Sequence, residues 1–135
     1  MKKTKSSLGI KGKLTHYGDK EFSLFIRKSF LRSAGYSDDA LNKPIVGICA
    51  AQSDYNTCHG NINSLIESVK RGILSAGGLP MLFPTISLGE INCYPTSLVY
   101  RNLMSMDVEE MIGAQPMDGC ILIGGCDKTV PAQLM

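Results

Sequence analysis

Side chains that could bind metal ions or move protons are concentrated in three polar stretches, each of which follows a run of apolar residues. The stretches cover residues 51–60, 87–94 and 125–129. Their reactive side chains are Asp54, Cys58, His59, Glu90, Cys93, Cys126, Asp127 and Lys128. Thiolates suit iron–sulfur iron, whereas carboxylates suit Mg²⁺. If the three stretches meet in the fold, their combined groups are what a mixed soft and hard metal site requires. The spacing of Cys58 and Cys126 does not by itself define such a site, and Glu90 and Asp127 are by default solvated loop carboxylates.

The five cysteines differ in their surroundings, and this separates ligand candidates from core residues. Cys49 and Cys120 lie within apolar runs, where a thiol packs as a small hydrophobe. Cys93 is ambiguous, and spacing alone favours a structural role. The count is odd and no pair has C-x-x-C spacing, so thiols, ligands or core residues are expected rather than disulfides. His59 adjoins Cys58, but neighbouring loop side chains diverge, so no Cys–His dyad is expected.

The third stretch also has the appearance of a phosphate-binding loop, because residues 124–129 read Gly-Gly-Cys-Asp-Lys-Thr. The Walker pattern requires glycine immediately before the Lys-Thr pair. Asp127 occupies that place, and its carboxylate would repel a phosphate. The sequence therefore argues against a P-loop.

Three segments carry apolar residues at the three- and four-residue steps of amphipathic helices. The first two cover residues 20–34 and 61–76, and each is followed by glycine, which commonly ends a helix. The third begins at Pro95, a residue suited to a first helical turn. It continues as one helix, or as two with a break near Asp107.

Short apolar runs rich in β-branched residues predict buried strands at 45–50, 79–86 and 118–124, and a last helix opens at Pro131. The order α-β-α-β-α-β-α indicates an α/β fold with a partial, mostly parallel sheet and crossover helices. Ligands of such sheets bind beyond the carboxyl ends of the strands. The three polar stretches are therefore expected to meet at one edge.

Length and charge exclude several classes of protein. The 135 residues make one domain or less, and 14 basic against 12 acidic residues argue against a nucleic-acid-binding face. No apolar run approaches the ~20 residues that span a bilayer, so no membrane association is expected. The basic N-terminal residues are not followed by the apolar region of a secretory signal, which favours a cytoplasmic protein. Residues 1–17 predict a loose N-terminal arm, and residues 18–135 the partial α/β domain.

Several phrases together resemble one known family. They are NTCHGN at 56–61, VKRG at 69–72, AGG at 76–78, PTS at 95–97, RNL at 101–103, MDVEE at 106–110 and GGCDKTVP at 124–131. In this order they resemble the dihydroxy-acid dehydratase and phosphogluconate dehydratase superfamily, and most closely its sugar-acid (aldonate) branch. The last phrase is highly specific, and the resemblance extends over roughly residues 17–135.

The resemblance implies an iron–sulfur and Mg²⁺-dependent hydro-lyase that converts 2,3-dihydroxy (sugar) acids to 2-keto-3-deoxy acids. Its members act in sugar-acid metabolism and branched-chain amino acid biosynthesis. They are several times longer than this chain, so the resemblance implies an N-terminal fragment that is inactive alone. It also implies that the third cluster cysteine and the serine base lie beyond Met135, and that the full-length protein forms a homo-oligomer.

The resemblance assigns roles to five residues of this chain. The implied iron–sulfur ligands are Cys58 and Cys126, and the implied Mg²⁺ ligands are Glu90, Asp127 and a carboxylated Lys128. A [2Fe–2S] cluster fits the sugar-acid branch, while [4Fe–4S] occurs in other members. Two alternatives stay open at this point. One is a non-catalytic remnant or interaction module, and the other is an unrelated, small flavodoxin-like binding domain.

Overall fold

The computed structural model describes residues 9–14 and 18–135. The described chain forms an α/β fold around three parallel strands, β1 (Ile45–Ala50), β2 (Leu79–Pro84) and β3 (Gly119–Ile123), in the order β2-β1-β3. The helices are α1 (Lys20–Ser33), α2 (Asp38–Leu41), α3 (Ile62–Ser75), α4 (Arg101–Ala114) and α5 (Thr129–Leu134). The predicted partial, parallel sheet with crossover helices is confirmed.

The central strand β1 is apolar throughout because both of its faces are covered. Ile48 and Ala50 pack on one face against the apolar stripe of α3, which includes Ile62 and Ile66. This stripe follows the helical period, and Gly77 adopts a positive φ of 83° just after the helix. Burial of one large aliphatic side chain contributes about 1.5–3 kcal/mol, so α3 is fixed to the sheet chiefly by this stripe.

The opposite face of the sheet carries α4. Cys49 of β1 and Phe83 of β2 pack there against Met104 and Val108 of the helix. Successive residues of a strand point to opposite faces, so Ile48 and Cys49 serve the two halves of the core. The helices on both faces leave the carboxyl ends of the strands open as one edge.

The segment 9–14 packs against the sheet, so the prediction of a loose arm does not hold for these residues. Ile10 is buried with Leu41 and Leu79. The backbone N–H of Gly9 donates to the Asp118 carboxylate at 3.0 Å. A carboxylate distant in sequence therefore anchors this segment. Residues 1–8 and 15–17 of the predicted arm lie outside the described part of the chain.

The start of α4 differs from the prediction that Pro95 occupies its first turn. The Thr96 hydroxyl accepts a hydrogen bond from the backbone N–H of Leu98 at 3.4 Å, and this caps a short 3₁₀ turn, Ser97–Tyr100. The α-helix begins only after that turn. It then continues without a break through Asp107.

Asp107 belongs to the helix, although its carboxylate faces the end of β2. The same carboxylate oxygen accepts two hydrogen bonds, one from the Thr85 hydroxyl at 2.6 Å and one from the Ile86 N–H at 3.3 Å. The last helix also starts earlier than predicted, at Thr129, with Pro131 in its first turn, where proline is tolerated.

Two smaller points complete the fold. The Ser37 hydroxyl caps the short helix α2 by accepting a hydrogen bond from the Ala40 N–H at 3.2 Å. In the described part of the chain, no helix is long and apolar enough to cross a membrane.

Candidate functional site

Three loops leave the carboxyl ends of the strands and meet at the open edge. We call residues 51–61 the first loop, 85–96 the second loop and 124–128 the third loop. A Cβ atom built on Gly125 would overlap the carbonyl oxygen of Cys58, and one built on Gly89 would lie 3.0 Å from the carbonyl oxygen of Tyr55. The second and third loops therefore both press against the backbone of the first. The predicted convergence of the loops is present.

The contact between the first and third loops brings two cysteine side chains together. The adjacent Cys126 side chain is the main cause that raises the pKa of the Cys58 thiol above its ordinary value. The Cys126 thiol in turn donates to the side-chain oxygen of Asn56 at 3.5 Å. Both cysteines are free thiols, and Cys58 is exposed. A soft metal could approach this pair from solvent, and binding would displace the thiol protons.

A buried polar group lies beneath this thiol pair. Nδ1 of His59 is 2.8 Å from the Ser87 hydroxyl and 3.0 Å from the side-chain nitrogen of Asn56. Burial lowers the pKa of His59, so its ring stays neutral near pH 7. The ring is therefore engaged with Asn56 and Ser87. Sequence reasoning did not find Asn56 or Ser87, although Asn56 stands within the NTCHGN phrase.

Glu90 of the second loop is held as a carboxylate. Its oxygens accept hydrogen bonds from the Ser97 hydroxyl, from the Ser97 backbone N–H at 3.0 Å and from the Thr96 hydroxyl at 2.6 Å. The hydrogen bond from the Ser97 hydroxyl, followed by that from the Thr96 hydroxyl, has the largest effect and lowers the pKa of Glu90 to about 2. The nearby charge of Lys128 acts in the same direction. Glu90 is therefore ionised and oriented, which is what a hard cation requires of an oxygen ligand.

An ion pair joins the second loop to the third. The ammonium of Lys128 lies 3.5 Å from a carboxylate oxygen of Glu90. Asp127 is exposed, and its charge is a further, smaller cause of the raised pKa of Cys58. The fold thus places the five predicted site residues along one edge, in two neighbouring groups.

The remaining cysteines are set apart from this edge. Cys49 is fully buried in the core, and burial raises the pKa of its thiol to about 12. Cys120 is half-buried on β3, and burial likewise raises its pKa. Both are poor thiolate donors, in agreement with the predicted core roles. Cys93 is half-buried in the second loop.

The donor groups do not make a complete metal site by themselves. Within residues 9–14 and 18–135, no three His, Cys, Asp or Glu side chains are arranged to hold one ion. The two thiols supply part of a soft donor set, and the Glu90 carboxylate supplies part of a hard one. Beside them, polar side chains of the first loop and Asn63 border a cavity of about 560 Å³.

Comparison with known proteins identifies the family of the chain. Residues 43–135, which contain all three loops, match the dihydroxy-acid/6-phosphogluconate dehydratase N-terminal family. The chain belongs to this family. The match removes the alternative of an unrelated flavodoxin-like domain, and it accounts for the order of phrases along this dehydratase-family chain.

Individual relatives of this dehydratase-family chain carry several substrate names. The chain is 42% identical over 120 residues to L-arabinonate dehydratase of Rhizobium leguminosarum bv. trifolii, covering 88% of this chain and 21% of that protein. It is 41% identical over 98 residues to 6-deoxy-6-sulfo-D-gluconate dehydratase of Pseudomonas putida, covering 73% and 17%. It is 38% identical over 113 residues to dihydroxy-acid dehydratase of Thermosynechococcus vestitus, covering 80% and 20%. The chain spans about a fifth of these curated relatives.

Proposed function

We propose that this chain forms the N-terminal part of a dehydratase that converts 2,3-dihydroxy sugar acids to 2-keto-3-deoxy acids. The observation that carries the proposal is the meeting of the Cys58 and Cys126 thiols beside the Glu90–Lys128 pair, at the ligand-binding edge of a parallel sheet. The match to the dehydratase family supports the same reading. In this proposal Cys58 and Cys126 are two ligands of an iron–sulfur cluster.

The residues present fit such a cluster in their chemistry. Cys58 and Cys126 are neighbouring free thiols, the first exposed and the second half-buried, whereas the thiol of Cys49 is enclosed in the core. Thiolates are the usual ligands of iron–sulfur clusters. The described residues supply two of them, so the other ligands belong elsewhere in the assembled enzyme. A [2Fe–2S] cluster is the type we propose, in keeping with the sugar-acid branch.

The group formed by Glu90, Asp127 and Lys128 fits Mg²⁺ only if the charge of Lys128 is removed. Glu90 is an oriented carboxylate and Asp127 lies in the adjoining loop, but the Lys128 ammonium occupies the space beside Glu90 and would repel a cation. Carboxylation of the lysine would replace this positive charge by an anionic oxygen donor. We therefore propose that Glu90, Asp127 and carboxylated Lys128 are the Mg²⁺ ligands of this chain.

In this proposal, the bound metals and the residues of the chain have different roles in dehydration. When bound, the metals supply the Lewis acidity that loss of a hydroxyl group and formation of an enolate require. The chain's own residues hold the donors in place. Thr96 and Ser97 orient Glu90, and neutral His59 supports Asn56 beneath Cys126. The neighbouring cavity is bordered by amide and hydroxyl groups and by the Asp54 carboxylate, and this polar lining suits a polyhydroxylated ligand better than an apolar branched one.

The experiment is a chimaera in which this chain replaces the matching segment of the Rhizobium leguminosarum L-arabinonate dehydratase. After anaerobic iron–sulfide reconstitution, iron per chain and 2-keto acid formation are measured with L-arabinonate, 6-deoxy-6-sulfo-D-gluconate and 2,3-dihydroxyisovalerate. We expect turnover of a sugar acid. Cys58→Ser and Cys126→Ser should lose both iron and turnover, and the matched control Cys120→Ser should keep both.

Two results would contradict the proposal. Equal iron in all three cysteine variants would remove Cys58 and Cys126 from the cluster. A chimaera that loads iron normally but turns over none of the three acids would favour a non-catalytic remnant.

A further inference from the structure

Arg101, the first residue of α4, is a buried cation behind the open edge. Its side chain and backbone together are only 7% exposed. One terminal nitrogen donates to the Leu88 carbonyl oxygen at 3.2 Å and to the Ser97 hydroxyl at 3.3 Å. The other donates to the Thr129 hydroxyl at 3.4 Å. The guanidinium thus joins the second loop and the turn before α4 to Thr129, which lies 28 residues further along the chain.

The partners of Arg101 do not compensate its charge. They are uncharged oxygens and the thioether sulfur of Met104 at 3.7 Å, and no carboxylate of the described chain lies within ion-pair distance of the guanidinium. The buried Nε atom of Arg101 has no hydrogen-bond partner among the described residues. A buried charge of this kind is a net cost to folding, and an apolar side chain of similar volume is often at least as stabilising. Stability alone therefore does not explain an arginine here.

The geometry of these three contacts gives a better reason for an arginine at position 101. Leu88 belongs to the second loop and lies two residues before Glu90. Ser97 donates directly to the Glu90 carboxylate. Thr129 follows Lys128 in the chain, so the guanidinium links both sides of the Glu90–Lys128 pair from behind.

We propose that Arg101 is a positioning residue that fixes the distance between Glu90 and Lys128. Its planar fork reaches both loops at once, which the single ammonium of a lysine does not. The importance of this distance for metal binding rests on the proposed function. The positioning itself is a property of the chain and is measurable without metal or substrate.

The test is carbodiimide cross-linking of the 135-residue chain, with the linked peptides mapped by mass spectrometry. In the parent chain, Glu90 and Lys128 at 3.5 Å should form an amide bond. Arg101→Met and Arg101→Lys should each lower this yield by about tenfold, the scale of one lost hydrogen bond to a charged group. The Glu67–Lys70 pair of α3, at 2.8 Å, serves as the internal standard.

A matched variant and a rescue experiment separate positioning from general damage. Arg32→Met changes an exposed arginine of α1, away from the Glu67–Lys70 standard, and should leave the Glu90–Lys128 yield unchanged. In Arg101→Ala, millimolar guanidinium chloride should restore the yield, whereas urea, which has the same shape and no charge, should not. Protection of Cys49 from alkylation reports that the core of each variant is intact.

Normal cross-linking in either Arg101→Met or Arg101→Lys, with Cys49 protected, would overturn the proposal. If both variants expose Cys49, the guanidinium rescue of Arg101→Ala decides, and its failure would also overturn the proposal. An inactive chimaera together with the expected cross-linking pattern would refute the proposed function and leave the positioning role intact.

Discussion

Gly125 is the point at which a single methyl group should separate the two cysteines. Its φ is outside the left-handed region, so the backbone itself accepts any residue. The obstacle is space, since an added Cβ would overlap the Cys58 carbonyl oxygen and lie 3.2 Å from Cδ2 of His59. The first neighbour is backbone and the second is a buried ring. Neither can rotate away, so the third loop must move.

The cost of Gly125→Ala follows from this overlap. Overpacking against atoms that cannot relax lowers the free energy of unfolding by about 1–3 kcal/mol. Gly72→Ala is the matched control, because Gly72 lies inside α3 with no atom within 4 Å of the built Cβ. Replacing an unhindered helical glycine by alanine should stabilise the chain by about 0.5–1 kcal/mol. The two substitutions should therefore shift stability in opposite directions.

Urea unfolding measures the stability of both variants, and mild oxidation measures the distance between the thiols. Disulfide formation tolerates little displacement of its partners, so Gly125→Ala should slow formation of the Cys58–Cys126 disulfide. Gly72→Ala should form it at the parent rate. Parent-like stability and parent-like oxidation in Gly125→Ala would show that the first and third loops are not in tight contact, and the description of the site would fail.

Two further predictions concern carboxylates. The hydrogen bonds of Ser97 and Thr96 lower the pKa of Glu90 from 4.5 to about 2, so its stabilising effect is complete above pH 4.5 and is lost as the pH falls toward 2. The difference in melting temperature between the parent and Glu90→Gln should accordingly shrink on acidification, and a constant difference would contradict this cause. Asp118→Asn should lower the free energy of urea unfolding by about 1–3 kcal/mol, because Asp118 accepts from the Gly9 N–H at 3.0 Å and the Ile45 N–H at 2.8 Å. Parent-like unfolding would show that the segment 9–14 does not depend on this anchor.

The elements that were predicted correctly have a clear pattern of apolar residues within their own sequence. The apolar period of α3 and the β-branched run of β1 are each sufficient to define an element, and the alternation of types implies a parallel sheet. Ile10 was not predicted as a core residue, because a lone apolar residue in a polar segment has no period. Its burial depends on Leu41 and Leu79, which approach only when the sheet forms.

In the candidate site, too, some residues could be predicted from the sequence and others could not. Cys58 and Cys126 could be proposed from loop position and family resemblance, since both features are visible in the sequence. The role of Arg101 could not: the residue stands in the RNL phrase, but nothing in the sequence shows that its side chain is buried or that it contacts Leu88 and Thr129. Buried polar links of this kind become visible only in three dimensions.

The strand order also sets a sequence of events during folding. The central strand β1 precedes both of its partners in the chain, and pairing Ile45 with Leu79 closes a loop about half as long as pairing Val46 with Gly119. Each doubling of a loop adds about 0.6 kcal/mol to the entropy of closure. The β1–β2 pair therefore has the lower entropic barrier, and we expect β3 to pair after it. Cys126 follows β3 in the chain, so the thiol pair depends on the pairing with the longer loop, whereas Cys58 follows the strand that both pairings share.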